Sequence, residues 1–285
     1  MVGNQRGRGL IAIDLDGTLL GPSGELSDRN AEAVHAAADA GWYVVLASGR
    51  PPHLVTHLAD RIAGAVTHVV GGNGSIVSTF PGTADGDTTL LHLASFDVAT
   101  ARAIVRHLRT VDPGLRFALA TDAGFGHERG FAERMPAAVH DDPIDDVLTL
   151  GGDAVFKLLV FHDEHSVDDL TRSLPPHLAD ALDASDDATV NGTEFAVTHM
   201  GADAAEIGPA AVDKCAGLRW LCEHLGVAQA DVVAIGDEGN DLTMLTWAGT
   251  GWAMANAPHH VRAAADHVAP HHAEDGVAQV LEALR

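Results

Sequence analysis

Residues 10–22 read LIAIDLDGTLLGP and decide the fold. Four apolar residues run directly into two aspartates, Asp14 and Asp16, which are followed by Gly17 and Thr18. The apolar, β-prone run predicts a buried strand that ends at the aspartates. Two carboxylates so close together repel each other, so we expect a positive charge between them.

Composition sets the first limits on size and partners. The chain has 285 residues, 46% of them hydrophobic, which is enough for two ordinary domains with separate cores. Its 17 Lys and Arg against 40 Asp and Glu give a net charge of −23, which argues against nucleic acid or an anionic membrane as a partner. An anionic substrate would therefore need a locally positive site.

The sequence also bears on location and redox chemistry. The segment MVGNQRGRGL has no apolar core of signal-peptide length, and no run of about 18 apolar residues occurs, so we expect a soluble, cytoplasmic protein. Cys215 and Cys222 are seven residues apart in a predicted amphipathic helix. This spacing puts both on one face and predicts two reduced core thiols rather than a disulfide or a metal site.

Strands alternate with helices in the first and last parts of the chain. Residues 27–41 predict a helix with Ser27 as N-cap and Gly41 as its stop, and WYVVLASG after it predicts a second buried strand. Near the C-terminus we predict a helix over about 214–225, a strand at 232–237, a helix at 240–249, a short strand at 251–256, and closing helices around 260–268 and 275–284. This order indicates a parallel sheet, whose ligands bind at the carboxyl ends of its strands.

The middle of the chain has a different texture. PGTADGDTT, residues 81–89, predicts a hinge of turn-forming residues. After it we predict helices near 97–111 and 167–174 and strands at 116–121, 154–162 and around 195–200. These elements form an α+β insert of roughly 120 residues, within the usual size of a domain.

The DLDGT stretch suits phosphoryl transfer. An aspartate can attack phosphorus when a cation neutralises both groups, and Mg²⁺ prefers such hard oxygen ligands. A second aspartate nearby can protonate the departing alkoxide and later activate water. The plainer interpretation is a strand end with two solvated carboxylates. A calcium-binding EF-hand loop is excluded, because Thr18 and Leu19 break its pattern.

Three distant stretches fit the same chemistry, although each has a simpler explanation. ASGRP, residues 47–51, ends the second strand and offers the Ser48 hydroxyl and the Gly49 amide, but Ser-Gly is also an ordinary turn. Lys214 begins a predicted helix and could equally be solvated. GDEGND, residues 236–241, gathers three carboxylates and an amide, which could simply cap a helix.

In this order, DLDGT, SGR, a downstream lysine and GDEGND resemble the haloacid dehalogenase-like superfamily of phosphatases. The tail GWAMANAPHHVRAAADHVAP is similar to the ending of the Cof-like branch, which includes sugar-phosphate phosphatases. The resemblance implies a Rossmann-like α/β core made of residues 1–81 and 209–285. It also implies an inserted α+β cap domain at 82–208 that sets specificity.

The resemblance also assigns roles to single residues. It implies that Asp14 is the nucleophile and a magnesium ligand, that Asp16 is the general acid/base and lends its backbone carbonyl to the metal, and that Lys214 neutralises charge. Asp237 would be a further magnesium ligand, with Asp241 a metal or supporting residue. The substrate side would be formed by Ser48, Gly49, Arg50, Asn73 and Asn240. Glu238 has no assigned role.

The expected activity is Mg²⁺-dependent hydrolysis of a small phosphorylated metabolite, with sugar phosphates favoured by the resemblance alone. A phosphomutase with the same aspartyl chemistry stays open, as does a phosphoacceptor signalling module. Specificity is expected from loops around 121–129 and 193–206. The histidine pairs His162/His165, His259/His260 and His271/His272 are interpreted as solvated rather than zinc-binding, since no HExxH motif occurs.

Overall fold

The computed structural model describes residues 7–131, 142–183, 194–199 and 204–284. The chain forms two compact units, one made of Met1–Leu93 and Val212–Arg285 and the other of Ala94–Ala211. Among the helices that the structure describes, none combines the length and apolar character needed to cross a bilayer.

The first unit is built on an eight-stranded sheet. Its strands are β1 (Gly9–Ile13), β2 (Trp42–Ala47), β3 (Val66–Gly71), β4 (Ile76–Thr79), β5 (Leu90–Leu93), β12 (Val232–Gly236), β13 (Thr250–Met254) and β14 (His267–Ala269). They lie in the order β14-β13-β12-β1-β2-β3-β4-β5. The strands from β14 to β3 pair in parallel, whereas β4 and β5 are antiparallel at one edge.

Helices cover both faces of this sheet. They are α1 (Asp28–Asp39), α2 (Ala59–Ile62), α5 (Lys214–Leu225), α6 (Leu242–Trp247), α7 (His259–Ala264) and α8 (Gly276–Ala283). Alternate residues of β1 face opposite sides: Ile11 and Ile13 pack with α1, α2 and α8, and Leu10 and Ala12 pack with α5, α6 and α7. The Rossmann-like α/β core predicted from the sequence is confirmed.

In its described residues, the second unit is an antiparallel sheet packed with two α-helices. Its elements are β6 (Phe96–Asp97), α3 (Val98–Val111), β7 (Arg116–Thr121), β8 (Gly124–His127), β9 (Ala154–Phe161), α4 (Val167–Asp183), β10 (Phe195–His199) and β11 (Ala205–Pro209). The strand order is β10-β11-β9-β7-β8, and β6 pairs with β9. Apolar residues of α3 and α4 share a core with one face of the sheet, as expected for an α+β architecture.

Several boundaries differ from those expected. The first unit resumes at Val212 rather than at residue 209, and the helix expected at 167–174 continues to Asp183. Strand β5 pairs with β4 and belongs to the first sheet, so the first unit continues to Leu93 rather than ending at residue 81. The stretch 260–268, predicted as one helix, holds both α7 and the start of β14. Strand β14 has only three residues, too few to show a strand periodicity beside an alanine-rich helix.

The loop regions expected to set specificity fall in the second unit. Residues 121–129 include the hairpin between β7 and β8. In the other region, residues 194–199 and 204–206 belong to or adjoin β10 and β11, while residues 193 and 200–203 lie outside the described part of the chain.

Asn30 joins the first and last helices of the first unit. It is buried in α1, where its Nδ2 donates to the carbonyl oxygen of Leu19 at 2.9 Å. Its Oδ1 accepts a hydrogen bond from the backbone N–H of Ala278 in α8, also at 2.9 Å. The exposed pair of Arg29 and Glu282 links the same two helices at the surface, with a shortest N–O distance of 2.9 Å.

We expect Asn30→Ala to lower the free energy of unfolding by about 1–3 kcal/mol, because two buried backbone groups lose their partners. Urea unfolding followed by circular dichroism measures this. Arg29→Ala is the matched control, since it breaks a solvent-screened pair between the same helices and should cost much less. Equal losses in the two variants would contradict the role given to Asn30.

Candidate active site

The polar residues singled out in the sequence follow neighbouring strands. Strands β2, β1 and β12 are adjacent in the sheet and run parallel. Ser48, Asp14 and Asp237 come directly after these strands, so all three lie at the same sheet edge. The backbone N–H of Asp14 continues the ladder by donating to the carbonyl oxygen of Ile235 at 3.0 Å.

Lys214 lies at the centre of this edge. Its side chain is 1% exposed, and its Nζ donates to Oδ1 of Asp14 and Oδ1 of Asp241, both at 2.6 Å. It is the first residue of α5, whose N-cap Asp213 accepts the N–H of Ala216. The positive charge expected beside Asp14 is therefore supplied within the chain.

A glycine turn holds the start of α5 close to the sheet. A Cβ at Gly74 would lie 1.8 Å from the carbonyl oxygen of Asp213, which no side chain tolerates. Gly74 also has a φ of +97°, in the left-handed region that favours glycine. The GGNGS stretch thus permits the close approach that aims Lys214 at Asp14.

Three buried carboxylates can share a cation here. Ligand oxygens of Asp14, Asp237 and Asp241 all lie within 4.8 Å of one another. Burial, reinforced by the charge of Asp241, holds the pKa of Asp14 above the usual range of an aspartate, although Lys214 opposes this. Burial likewise raises the pKa of Asp237 to about 6. The negative charge of Asp14 and Asp241 raises the pKa of Lys214 despite its burial, so the lysine stays charged.

Asp241 bonds both to Lys214 and to the backbone of the turn after β12. Oδ1 accepts from Lys214, and Oδ2 accepts the backbone N–H groups of Asp237 and Glu238 at 2.9 and 3.0 Å. Glu238, which the sequence left unassigned, is half of a capping box with Asp241. The arrangement fixes the turn after β12 and orients Lys214.

Asp237 is positioned by two residues that the sequence analysis did not single out. Thr18 donates its hydroxyl to Oδ1 of Asp237 at 3.0 Å, and Asn256 donates its Nδ2 to Oδ2, also at 3.0 Å. The same Nδ2 of Asn256 lies 2.8 Å from the carbonyl oxygen of Gly17. Both residues occur in quoted motifs, DLDGT and GWAMAN, but nothing in their spacing indicated that they meet.

Gly17 is required where the first loop passes Asp237. Its φ is +81°, and a Cβ at this position would lie 2.2 Å from Oδ2 of Asp237. Any larger residue would be strained and would also displace that carboxylate.

Asp16 and Arg50 form a two-point ion pair at the rim of the site. Nε of Arg50 donates to Oδ2 of Asp16 at 2.8 Å, and Nη2 donates to Oδ1 at 2.5 Å. The Asp16 side chain is 57% exposed. Ser48 is buried, and its Oγ accepts the backbone N–H of Arg50 at 3.1 Å. Gly49 lies between them in the same turn, so the whole SGR motif adjoins the loop after β1 that carries the two aspartates.

The two predicted substrate-side asparagines also meet. Nδ2 of Asn240 donates to Oδ1 of Asn73 at 3.0 Å. Asn73 has a φ of +55°, a conformation that asparagine adopts more readily than most residues. The structure therefore brings together at one sheet edge all the residues selected from the sequence.

Other sequence expectations have mixed outcomes. Cys215 and Cys222 are both buried with free thiols, as predicted, and burial raises the pKa of Cys222 to about 11. His259 and His260 are exposed, as expected. His162 is buried, so its interpretation as a solvated residue is wrong.

The raised pKa of Asp237 predicts how pH changes stability in the metal-free protein. Between the two pKa values, the folded state keeps the proton of Asp237 whereas the unfolded chain has lost it. The stability associated with this proton is complete below the unfolded pKa and is lost as pH rises through about 6. We expect the free energy of unfolding of wild type to fall, relative to Asp237→Asn, between about pH 4 and about pH 7. Urea titrations in the presence of a chelator, repeated across this pH range, measure the difference. If the free energy of unfolding changed with pH equally in both proteins, the raised pKa of Asp237 would be contradicted.

The sequence and the structure were compared with known proteins. The haloacid dehalogenase-like hydrolase family matches residues 11–281. The chain is 29% identical to a phosphoglycolate phosphatase of Natronomonas pharaonis, covering 96% of this chain and 97% of the relative. It is 27% identical to a 5-amino-6-(5-phospho-D-ribitylamino)uracil phosphatase of Bacillus subtilis, over 95% and 94% of the two chains.

Among solved structures, a haloacid dehalogenase-like hydrolase from Bacteroides thetaiotaomicron superposes with a TM-score of 0.77 at 27% identity. The superposition covers 97% of this chain and 99% of that one. The family match extends over nearly all of the residues that build the sheet edge and its loops. The chain belongs to the haloacid dehalogenase-like hydrolase family.

Proposed function

We propose that this protein is a Mg²⁺-dependent phosphatase that hydrolyses a small phosphomonoester through an aspartyl-phosphate intermediate. The observation that carries the proposal is the buried ammonium group of Lys214, held between Asp14 and Asp241 beside a third carboxylate, Asp237. A fully buried cation held by carboxylates at the ligand-binding edge of a parallel sheet is suited to anion chemistry.

The residues present fit a magnesium ion. Asp14 and Asp237 offer hard oxygen ligands, and their raised pKa values express the cost of gathering negative charge without a counterion. Asp241 holds Lys214 through Oδ1 and the turn after β12 through Oδ2, so we assign it to positioning the lysine rather than to the first coordination sphere. The backbone carbonyl of Asp16 would complete the protein's ligands. When bound, the ion would neutralise the phosphate and orient it for attack.

Asp14 would act as the nucleophile. Its carboxylate oxygen forms a bond to phosphorus while the bond from phosphorus to the ester oxygen breaks. Asp16 would donate a proton to the departing alkoxide. It would then take a proton from water as that water attacks phosphorus, releasing phosphate and restoring Asp14.

Arg50 controls whether Asp16 can do this. Its guanidinium occupies both carboxylate oxygens of Asp16, so one of these hydrogen bonds must give way before Asp16 can reach a leaving group. An incoming phosphate is an alternative partner for the guanidinium. We propose that substrate binding draws Arg50 towards phosphate and frees Asp16 to transfer a proton.

The remaining residues would hold the phosphoryl group. Ser48 offers a hydroxyl and Gly49 a backbone amide on one side, and the linked Asn73 and Asn240 offer side-chain amides on the other. Lys214 stabilises the charge that develops on the phosphate and keeps Asp14 ionised.

The substrate would be a small phosphorylated metabolite. The relatives are named for phosphoglycolate and for a phosphorylated ribitylaminouracil, and the net charge of −23 disfavours nucleic acid. We propose that the second unit is the inserted cap that selects among such metabolites. A phosphomutase is the second candidate, because the same residues could return the phosphoryl group to a sugar.

We expect Asp14→Asn to abolish phosphate release from every member of a panel of small phosphomonoesters, because an amide is a poor nucleophile of the same shape. Release from wild type should require Mg²⁺. Asp28→Asn is the matched control, since the Asp28 side chain is 93% exposed, pairs with Arg61 and takes no part in the contacts described for the site. Retained turnover in Asp14→Asn would refute the assignment.

We expect Lys214→Met to lower kcat/KM by about a thousandfold, on the scale of other groups that stabilise transition-state charge. Methionine keeps most of the packing volume but removes the ammonium group. Steady-state kinetics on the best substrate of the panel measures the loss, with circular dichroism to verify folding. A folded variant with unchanged efficiency would remove Lys214 from contact with the reaction.

A further inference from the structure

A second group of metal-ligating side chains lies within the second unit, on helices α3 and α4. His107 belongs to α3, and His177 and Asp180 belong to α4. One ligand atom from each residue lies within 4.8 Å of the other two. His177 and Asp180 are three residues apart and therefore share one face of α4. Their neighbours Leu178 and Ala181 are buried in the core that α4 shares with α3.

His107 has an unsatisfied nitrogen. Its Nε2 is buried and finds no hydrogen-bond partner among the described residues. Leaving such a group unpaired is unfavourable, so buried ring nitrogens normally have a partner. The rings of His107 and His177 are 6.3 Å apart between centroids and tilted by 42°, so they are not stacked on each other. A cation shared with His177 and Asp180 would satisfy the free nitrogen.

We propose that His107, His177 and Asp180 bind a divalent transition-metal ion, with zinc as the natural occupant. Two imidazoles and one carboxylate suit a borderline ion such as Zn²⁺, with water in the fourth tetrahedral position. The donor set differs in kind from that of Asp14, Asp237 and Asp241, which offers only oxygen and suits Mg²⁺.

A neighbouring group of Asp112, His162 and His165 is less suited to binding a metal. Oδ2 of Asp112 lies 3.5 Å from Nε2 of His162 and 3.6 Å from Nε2 of His165. Nδ1 of His162 accepts the backbone N–H groups of Glu164 and His165 at 3.0 and 3.2 Å. The neutral ring therefore carries its proton on Nε2, the atom that faces Asp112. For Nε2 to bind a metal, this proton would have to move to Nδ1, where the two backbone N–H groups already donate.

The location of the proposed site gives it a structural role. Helix α4 contains Pro175 and Pro176, which lack the backbone N–H that each would donate within the helix. His177 and Asp180 follow directly. A metal ion bound to them and to His107 would fix the weakened second half of α4 against α3. Zinc binding should therefore raise the thermal stability of the protein.

The test uses the untagged full chain, stripped with a chelator and then titrated with Zn²⁺ in excess Mg²⁺, which keeps the carboxylate site occupied. Bound metal is counted by elemental analysis after gel filtration, and the melting temperature is recorded in parallel. We expect wild type to bind one equivalent and to melt at a higher temperature with zinc. Co²⁺ substituted at the site should show the visible absorption of tetrahedral coordination.

Variants locate the binding. We expect His177→Gln to weaken zinc affinity by at least about tenfold, since loss of even an indirect partner of a ligand costs that much. Asp180→Asn should also weaken zinc affinity, and because Asp180 is exposed the substitution should not affect folding. His165→Gln is the matched control from the neighbouring group and should bind zinc as wild type does.

Four results would overturn the proposal. The first is that wild type binds no zinc. The second is that all variants, including His177→Gln and Asp180→Asn, bind zinc equally, which would assign the metal to scattered surface histidines. Equal loss in His165→Gln would place the ion on the neighbouring group instead. A rise in melting temperature that persists in Asp180→Asn would contradict the structural role.

Discussion

The structure of the first unit depends on one buried ammonium group. Lys214 lies at the first turn of α5, where the partial positive charge of the helix N-terminus disfavours a cation. It is also almost fully removed from water, which is costly for any charge. Only Asp14 and Asp241, each 2.6 Å away, make this position tenable. Removing one member of such a buried group leaves the others unpaired. The three residues, and the loops that carry them, therefore depend on one another for their position.

This dependence explains the arrangement around the three residues. Asp241 can hold Lys214 only because the turn after β12 supplies N–H groups to its other oxygen. Asp237, in the same turn, is itself held by Thr18 and Asn256. Stability alone does not favour this gathering of like charges, as the raised pKa values of Asp14 and Asp237 show. Groups of residues that lower the stability of the folded protein in this way are typical of functional sites.

The sequence predicted the parallel core and the convergence of its motifs because both follow from local patterns. Apolar runs marked the strands, and the polar residues at their ends had to meet at one edge. The contacts of Asp237 with Thr18 and Asn256, and of Arg50 with Asp16, could not be predicted, since they join distant loops whose path no periodicity encodes. Strand β14 was missed because three residues carry too little pattern. The burial of His162 was missed because it depends on a turn whose backbone N–H groups donate hydrogen bonds to its ring.

The pairing of β1 with β12 also sets an order for folding during synthesis. Leu10 of β1 pairs with Val232 of β12, and Asn30 of α1 bonds to Ala278 of α8. Strand β1, which Asp14 follows, therefore leaves the ribosome long before its neighbour β12. The second unit is contiguous and can close in the interval, since domains fold as units while the chain grows. Until then β1 has an unpaired edge, open to wrong partners. Asp14, the proposed nucleophile, is thus made well before the strand β12 that fixes it in place.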